Sequence, residues 1–303
     1  MIILDNIFGF TFYALDLKQV QTELIDKFGK AEAILFSNND LENNNWEKVW
    51  RNLSKVAEII GYENLSFHFP MDNCNYIDDA FIKQRLVDTI CRANMLGITK
   101  VIIHPNLRYK INEWNCIDRK KMQTKLFDFI NQLDTGNVEL CLENMPPIGN
   151  KFDDADSSVL FVSDINPKID YTWDICHYFN VVTTMELAIK DNKWKDVLAD
   201  IEECHYLDFK NKLSNIKHYH FSAFEKIANP FSKQICNEGV LPEQSCVNES
   251  YYAEALKIIY NDAVKNNKRI IFEISEDNYY NRINIFKMLE WAKIVIDGEK
   301  GNG

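Results

Sequence analysis

The sequence lacks the marks of several well-known protein classes. None of its eight cysteines forms a Cys-x-x-Cys pair, so a zinc ribbon is not indicated and most thiols are expected to be small apolar fillers. No run of about 18 or more apolar residues is present, which argues against a membrane-spanning helix. Residues 1–5 contain neither a basic region nor a small-residue cleavage site, so no secretory signal is indicated. We therefore expect a cytoplasmic protein without a membrane partner.

Signals of domain boundaries and of nucleic-acid binding are also scarce. The chain of 303 residues has 7 prolines and 10 glycines, and no linker rich in Pro, Gly or Ser divides it. We therefore expect one domain over residues 1–303, with a core at about 7–296 and a tail at 298–303. The net charge of -11 argues against nucleic acid held by broad phosphate neutralisation, although it does not exclude a local basic patch.

Short apolar strands alternate with helical segments along the whole chain. The pattern predicts strands at 7–14, 31–36, 65–69, 101–104, 138–142, 169–174, 216–221 and 269–274. It predicts helices at 16–28, 46–60, 78–96, 118–133, 251–266 and 279–296, with further helical patterning within 177–213 and a long functional loop at 222–250. Repeated strand–helix units favour an α/β fold, a single (β/α)8 TIM barrel with the active site at the C-terminal strand ends. The rival, a doubly wound open sheet, usually has a glycine-rich turn after its first strand, and none is found.

Residues of the types that bind metals lie at the ends of four predicted strands: Glu143, Asp174, His220 and Glu273. A single carboxylate at a strand end is usually a helix cap or half of an ion pair. Four such groups converging on one axial cavity would repel one another strongly without a cation. Carboxylate and imidazole ligands suit Mn, Zn, Co or Mg, so we expect at least one divalent metal ion as cofactor.

The strand that carries His220 also carries His218, and a period of two would point both side chains to one face. The spacing therefore leaves open which of the two is the ligand. We favour His220 because it lies nearer the end of the strand. His205, inside a helical pattern, is expected to be structural.

Three more histidines lie at or near the ends of predicted strands, and one lysine lies in the predicted loop 222–250. His68 and His104 are each followed closely by proline, and they could bind a second metal ion shared through Glu143, contact the substrate, or be structural. His177 could contact substrate or orient a ligand from the next turn of chain. Lys226 could bind a phosphate or an anionic sugar, although a solvated surface charge is the more usual fate of a lysine.

The order of these residues at the strand ends resembles the xylose-isomerase-like TIM-barrel superfamily, which includes sugar phosphate isomerases and epimerases and endonuclease IV. The resemblance spans roughly residues 7–295. It is carried by His68, His104-Pro105, Leu142-Glu143-Asn144, Asp174-x-x-His177, His220-x-Ser222 and Phe272-Glu273.

The resemblance implies roles for these residues. As in ketose epimerases of the superfamily, Glu143, Asp174, His220 and Glu273 would hold one divalent metal ion. The two glutamates, Glu143 and Glu273, would also be the catalytic acid/base pair, and His177 would contact the substrate.

The endonuclease IV branch implies three zinc ions. His68, His104 and Glu143 would match one of its sites. Its third site needs an Asp-x-His in the loop after the seventh strand, whereas residues 225–232 contain neither Asp nor His. This departure weakens the DNA-repair interpretation.

The sequence therefore predicts an enzyme, a divalent-metal-dependent sugar or sugar-phosphate isomerase or epimerase that acts on a small-molecule substrate. One alternative is a one- or two-metal hydrolase of a phosphoester, distantly like endonuclease IV. Another is a non-catalytic barrel that binds a sugar or a metal ion. No interface signature is evident, so a homo-oligomer is left open.

Overall fold

Eight parallel strands close into a barrel in the computed structural model, which describes residues 7–71, 74–105, 108–110, 118–149, 154–156, 161–195, 198 and 201–300. The barrel strands are β1 (Phe8–Tyr13), β2 (Lys30–Ile34), β3 (Leu65–His68), β4 (Lys100–Ile103), β6 (Glu139–Glu143), β8 (Asp170–Asp174), β9 (Ile216–Phe221) and β12 (Ile270–Phe272). They are paired in the order β1-β12-β9-β8-β6-β4-β3-β2. The predicted (β/α)8 barrel is confirmed.

Four short strands lie outside the barrel and form two antiparallel pairs. One pair joins β5 (Arg108–Lys110) to β7 (Asp154–Asp156). The other joins β10 (Ala223–Lys226) to β11 (Asn237–Val240). The second pair occupies much of the segment 222–250, which the sequence predicted to be a loop.

The strands are buried on both faces, which is why they are so continuously apolar. On β1, Phe10 packs outward against Phe28, with ring centroids 5.8 Å apart, whereas the neighbouring Thr11 lines the central cavity. Gly9 lies on the inward-facing side, where a Cβ atom would come within 2.5 Å of Ile271 Cδ1 and 2.8 Å of Lys30 Cβ. Only a residue without a side chain fits there.

The helices that cover the barrel begin and end near the predicted positions. They are α1 (Thr22–Lys27), α2 (Asn43–Ile60), α3 (Ala80–Leu96), α4 (Arg119–Asn131), α5 (Ile175–Lys190), α6 (Asn192–Lys195), α7 (Glu249–Asn266) and α8 (Ile283–Lys300). The Asp79 carboxylate caps α3 by accepting from Phe81 N at 2.9 Å and Ile82 N at 3.1 Å. Gly61 ends α2 with a φ of 90°, a value that favours glycine.

Three predicted segments differ from the structure. The helix predicted at 16–28 is interrupted, because Val20 and Gln21 adopt extended backbone between a 3-10 helix at Leu17–Gln19 and α1. Residues 201–207 are not helical, and the exposed His205 lies in a turn. There its N–H donates to Asp208 Oδ2 at 2.9 Å, and its carbonyl accepts from Tyr178 Oη at 2.7 Å. The predicted tail at 298–303 is helical as far as Lys300, and residues 301–303 lie outside the described residues.

Among the helices of the described ranges, none combines the length and the apolar character needed to cross a lipid bilayer.

Candidate metal centre

Four side chains from four neighbouring elements meet at the C-terminal end of the barrel. Glu143 ends β6, Asp174 ends β8, His220 lies near the end of β9, and Glu273 follows β12. His220 Nδ1 lies 3.4 Å from Glu143 Oε1, 3.5 Å from Glu273 Oε1 and 3.9 Å from Asp174 Oδ2. Glu143, Asp174 and His220 are buried, and the Glu273 side chain is 18% exposed. We call these four residues the inner cluster.

Two further histidines approach the inner cluster from the adjacent strands. His68 Nε2 lies 2.9 Å from Glu143 Oε2, and His104 Nε2 lies 3.2 Å from the same oxygen. The other ring nitrogen of His68 faces the carbonyl of Phe69 at 2.7 Å, and that of His104 faces the carbonyl of Met71 at 3.0 Å. A carbonyl can only accept, so Nδ1 carries the proton in both rings. Each Nε2 is then either protonated beside Glu143 or unprotonated and able to bind a cation.

His177 lies in the first turn of α5 and touches the inner cluster from a fifth direction. Its Nδ1 is 3.1 Å from Glu143 Oε1 and donates to the Asn144 carbonyl at 3.0 Å. Its Nε2 is 3.6 Å from Glu238 Oε2 on β11. The His177 ring is therefore held between carboxylates at the edge of the central cavity.

The two oxygens of Asp174 have separate partners. Oδ1 accepts the backbone N–H of His177 at 2.7 Å and so caps α5, whereas Oδ2 faces the inner cluster. The backbone of Asp174 is fixed by Asn144, whose side chain accepts from Asp174 N at 2.6 Å and donates to its carbonyl at 3.0 Å. Asp174 therefore ends β8, caps α5 and carries a candidate ligand atom, and hydrogen bonds hold its backbone in place.

The electrostatics of the inner cluster separate its two glutamates. Burial opposes the ionisation of Glu143, but His220 and His104 outweigh it and hold its pKa well below the usual range. Burial raises the pKa of Glu273 to about 8, and the charges of Glu143 and Asp174 add to this rise while His220 opposes it. Burial also opposes protonation of His220, yet the surrounding carboxylates raise its pKa well above the usual value. The inner cluster therefore attracts positive charge.

The chemistry of the donor atoms fits a divalent cation. Glu143 Oε1, Asp174 Oδ2 and His220 Nδ1 are buried and, within the part of the chain that the structure describes, have no hydrogen-bond partner. Buried polar atoms normally have a hydrogen-bond partner, so three neighbouring atoms without one require an explanation. Two ligand atoms that each lie about 2.1 Å from a tetrahedrally coordinated ion are about 3.4 Å apart. The distances from His220 Nδ1 to the oxygens of Glu143, Glu273 and Asp174 are 3.4, 3.5 and 3.9 Å, close to that value. A metal ion would satisfy all three atoms at once.

A cavity of about 510 Å³ opens above the inner cluster. Asp174, His104, His177 and Glu273 form its polar floor, together with Glu238 from β11. Apolar side chains form much of its wall: Phe12, Ile34, Phe36, Met71, Met145, Pro146 and Ile274. No lysine or arginine lines it among the described residues. The volume suits a small organic molecule.

The structure places His218 and Lys226, two further candidates from the sequence, away from the inner cluster. His218 and His220 both point into the barrel and both are buried, but only His220 reaches the inner cluster. His218 instead meets Glu32, and burial lowers its pKa to about 3. Lys226 is exposed at the end of β10 and does not line the cavity.

Sequence reasoning missed two carboxylates. Glu32 lies in the middle of β2 between two alanines and is fully buried, with its oxygens against His218 and His220. A glutamate inside an otherwise apolar strand was the available signal. Glu238 is brought to His177 by the β10–β11 hairpin, and no spacing in the sequence indicates that approach.

Comparisons with known proteins agree with this architecture. The family model described as xylose isomerase-like TIM barrel matches residues 32–264. No curated protein matches the chain by sequence.

Several solved structures share the fold over nearly the whole chain. A mannonate dehydratase from Streptococcus suis serotype 2 is 9% identical with a TM-score of 0.60, covering 97% of this chain and 94% of its own. The IOLI protein with a bound zinc atom is 13% identical with a TM-score of 0.56, covering 96% and 98%. A D-psicose 3-epimerase with D-tagatose from Clostridium cellulolyticum H10 is 9% identical with a TM-score of 0.56, covering 96% and 99%. At these identities the likeness shows the fold alone.

Proposed function

The chain belongs to the xylose isomerase-like TIM barrel family, and from that premise we propose that it is a divalent-metal-dependent isomerase or epimerase of a sugar or sugar phosphate. The observation that carries the proposal is the inner cluster, in which Glu143 and Glu273 lie 3.4 Å and 3.5 Å from His220 Nδ1 and, with Asp174, form one group of candidate metal ligands. A reaction that removes a proton from carbon and returns it needs such a pair of groups. A zinc-bound neighbour and an epimerase with a bound sugar support this choice.

The inner cluster would hold the ion through Glu143 Oε1, Asp174 Oδ2, His220 Nδ1 and Glu273 Oε1. When bound, a divalent cation polarises the carbonyl and hydroxyl oxygens of a sugar and makes the neighbouring carbon acid stronger. Manganese, zinc, cobalt and magnesium all suit this ligand set.

Glu273 is the better placed of the two glutamates to exchange a proton with substrate. It lines the cavity, whereas Glu143 is not among the residues that line it. Glu143 is sealed beneath it, with one oxygen toward His68 and His104 and the other toward the inner cluster. In our proposal Glu143 remains the second member of the predicted acid/base pair, and His177 orients the substrate from the cavity edge.

The test measures metal content and proton exchange together. Elemental analysis of the purified protein should give about one divalent ion per chain, and incubation with a panel of ketoses in D2O should place deuterium beside the carbonyl of the substrate. Glu273→Gln should lower the exchange rate by about 100-fold or more, because general acid–base catalysis contributes at least that much. Glu139→Gln is the matched control, since it changes a carboxylate at the opposite end of the barrel. A protein that takes up no metal ion after reloading would overturn the proposal.

A second candidate function is a two-metal phosphoester hydrolase. One observation favours it: Glu143 presents one oxygen to His68 and His104 and the other to the inner cluster, as a bridging carboxylate does. The two functions predict different metal counts. About two ions per chain, falling to about one in the variant His68→Ala/His104→Ala, would favour the hydrolase, whereas an unchanged count of one would favour the isomerase. A metal-loaded protein without turnover on either substrate class would indicate a non-catalytic binding barrel.

A further inference from the structure

A second group of buried polar residues lies directly beneath the inner cluster. It consists of Glu32 on β2, Ser66 on β3, and His218 and His220 on β9, all fully buried. We infer that Glu32 is a positioning residue, which fixes the ring of His220 so that Nδ1 faces the inner cluster. This inference rests on the proposed function, because it assigns a task to a residue that supports the metal site.

Glu32 contacts both histidines of β9 with different oxygens. Its Oε2 accepts from His218 Nε2 at 2.8 Å and from Ser66 Oγ at 2.8 Å. Its Oε1 lies 2.9 Å from His220 Nε2. The last approach is close but not aligned as a hydrogen bond, so the attraction is mainly electrostatic.

These contacts decide which nitrogen of His220 carries a proton. A carboxylate oxygen has no hydrogen to give, so an imidazole nitrogen 2.9 Å away from it is a stable neighbour only when it is protonated. With Nε2 protonated beside Glu32, Nδ1 is left to serve as the metal ligand. Metal-binding histidines usually have a carboxylate or carbonyl next to their second ring nitrogen, which fixes the ring and raises its basicity, and Glu32 occupies that position.

Glu32 is itself held from two sides, which makes it a firm support. Ser66 and His218 both donate to Oε2, leaving Oε1 for His220 alone. A buried carboxylate without such donors would be expensive. Glu32 reaches β9 through the barrel interior, because the strands β1 and β12 separate β2 from β9 in the sheet.

The competing interpretation is that Glu32, His218 and His220 form a metal site of their own, since their donor atoms lie within 4.8 Å of one another. The hydrogen bond from His218 Nε2 to Glu32 speaks against it, because that nitrogen would have to lose its proton and its hydrogen bond before it could bind an ion. His220 would also have to bind one ion through each ring nitrogen. The positioning role requires neither.

The test uses the full-length protein and zinc alone. Zinc affinity is measured by competition with a chelator for the wild type and for Glu32→Gln, which preserves shape but removes the charge. Glu32→Gln should bind zinc about 10- to 100-fold more weakly, the usual effect of removing a residue that orients a ligand. The control Glu139→Gln, on β6 at the other end of the barrel, should bind as the wild type does. Urea unfolding of the zinc-free variants checks that each is folded, and Glu32→Asp replaces Glu32→Gln if the latter is not.

Two spectroscopic measurements separate positioning from mere structural support. In zinc-loaded wild type with ¹⁵N-labelled histidine, long-range proton–nitrogen correlations should show His220 bound through Nδ1 and protonated at Nε2, with assignment from His220→Gln. In cobalt-substituted protein, Glu32→Gln should shift the visible absorption bands even at saturating metal, because the donor strength of His220 has changed. A purely structural role would leave those bands unmoved.

The outcomes distinguish this inference from the proposed function. If the wild type binds no zinc, the metal centre itself is wrong and the positioning role falls with it. If Glu273→Gln loses affinity while Glu32→Gln keeps both affinity and spectrum, the metal centre stands and only the inference is overturned. If His218→Gln loses one ion per chain, Glu32, His218 and His220 bind a metal ion themselves, and the positioning role is also overturned.

Discussion

In the proposed metal centre Asp174 has two tasks, one for each of its oxygens, and two substitutions can separate them. Oδ1 caps α5 through the N–H of His177, and Oδ2 faces the inner cluster. Asp174→Asn should keep the cap, because asparagine caps helices about as well as aspartate, but it removes the anionic donor. Asp174→Ala removes both the cap and the donor.

The magnitudes follow from the linkage between binding and stability. A metal ion present at 100 times its dissociation constant stabilises the folded protein by about 2.7 kcal/mol. If loss of the Asp174 donor weakens binding by about 100-fold, the same concentration should stabilise Asp174→Asn by only about 0.4 kcal/mol. Asp174→Ala should lose a further ~1 kcal/mol with or without metal, the usual cost of a missing cap.

Without metal, Asp174→Asn should be at least as stable as the wild type. Burial raises the pKa of Asp174, and the nearby charge of Glu143 adds to that rise while His177 opposes it. The ionised carboxylate is therefore costly in this place, and a neutral amide relieves that cost.

The assay is urea unfolding of the three proteins with a chelator and with added Mn²⁺ or Zn²⁺. The expected pattern is a metal-dependent gain for the wild type, almost none for either variant, and a metal-independent loss for Asp174→Ala alone. A full metal-dependent gain in Asp174→Asn would refute the assignment of Oδ2 as a ligand. An equal loss in both variants without metal would refute the separation of the two oxygens.

Three further predictions concern other parts of the molecule. Asp164 forms a buried ion pair with Arg119 at 2.6 Å; burial opposes ionisation, but Arg119 and a neighbouring lysine lower the pKa of Asp164. Asp164→Asn should therefore lower the free energy of unfolding by about 2 kcal/mol at neutral pH. The difference from wild type should shrink as pH falls below about 4, because the wild-type carboxylate then becomes protonated. Equal losses at about pH 3 and pH 7 in urea unfolding would contradict this. Gly9→Ala should cost about 1–3 kcal/mol in the same assay, because its Cβ would lie 2.8 Å from Lys30 Cβ; an unchanged unfolding midpoint would show that the barrel yields there. Lys226→Ala should change KM by less than about twofold, since an exposed lysine outside the cavity contributes little; a large rise in KM would support the anion-binding role predicted from the sequence.

The barrel and its inner cluster could be predicted because the sequence shows both the apolar strands and the residue type at the end of each strand. An apolar run followed by a ligand-type residue marks a strand end, and parallel strand ends meet at one face. That argument identified Glu143, Asp174, His220 and Glu273 as neighbours, which is how the structure places them. Their roles as ligands and catalysts remain predictions.

Residues whose partners depend on closure of the barrel could not be predicted in the same way. Glu32 contacts His218 and His220 across the barrel interior, although His218 is 186 residues away in the chain. Only the closed barrel brings these residues together. One predicted helix was wrong because its backbone groups have other hydrogen-bond partners. The turn at His205 replaces a predicted helix because Asp208 and Tyr178 bind its backbone groups.

If the cavity binds the substrate as we propose, the β10–β11 hairpin lets the specificity change without altering the barrel strands. Its two strands pair with each other and not with the barrel, yet Glu238 and Gly239 at its base line the cavity. Sequence changes in the hairpin can therefore reshape one wall while the strands that carry the inner cluster stay as they are. Gly239 itself should not tolerate substitution, because its φ of 80° and its close approach to Ser275 leave no room for a side chain. Natural or laboratory evolution of new substrates should accumulate changes around that glycine and spare it.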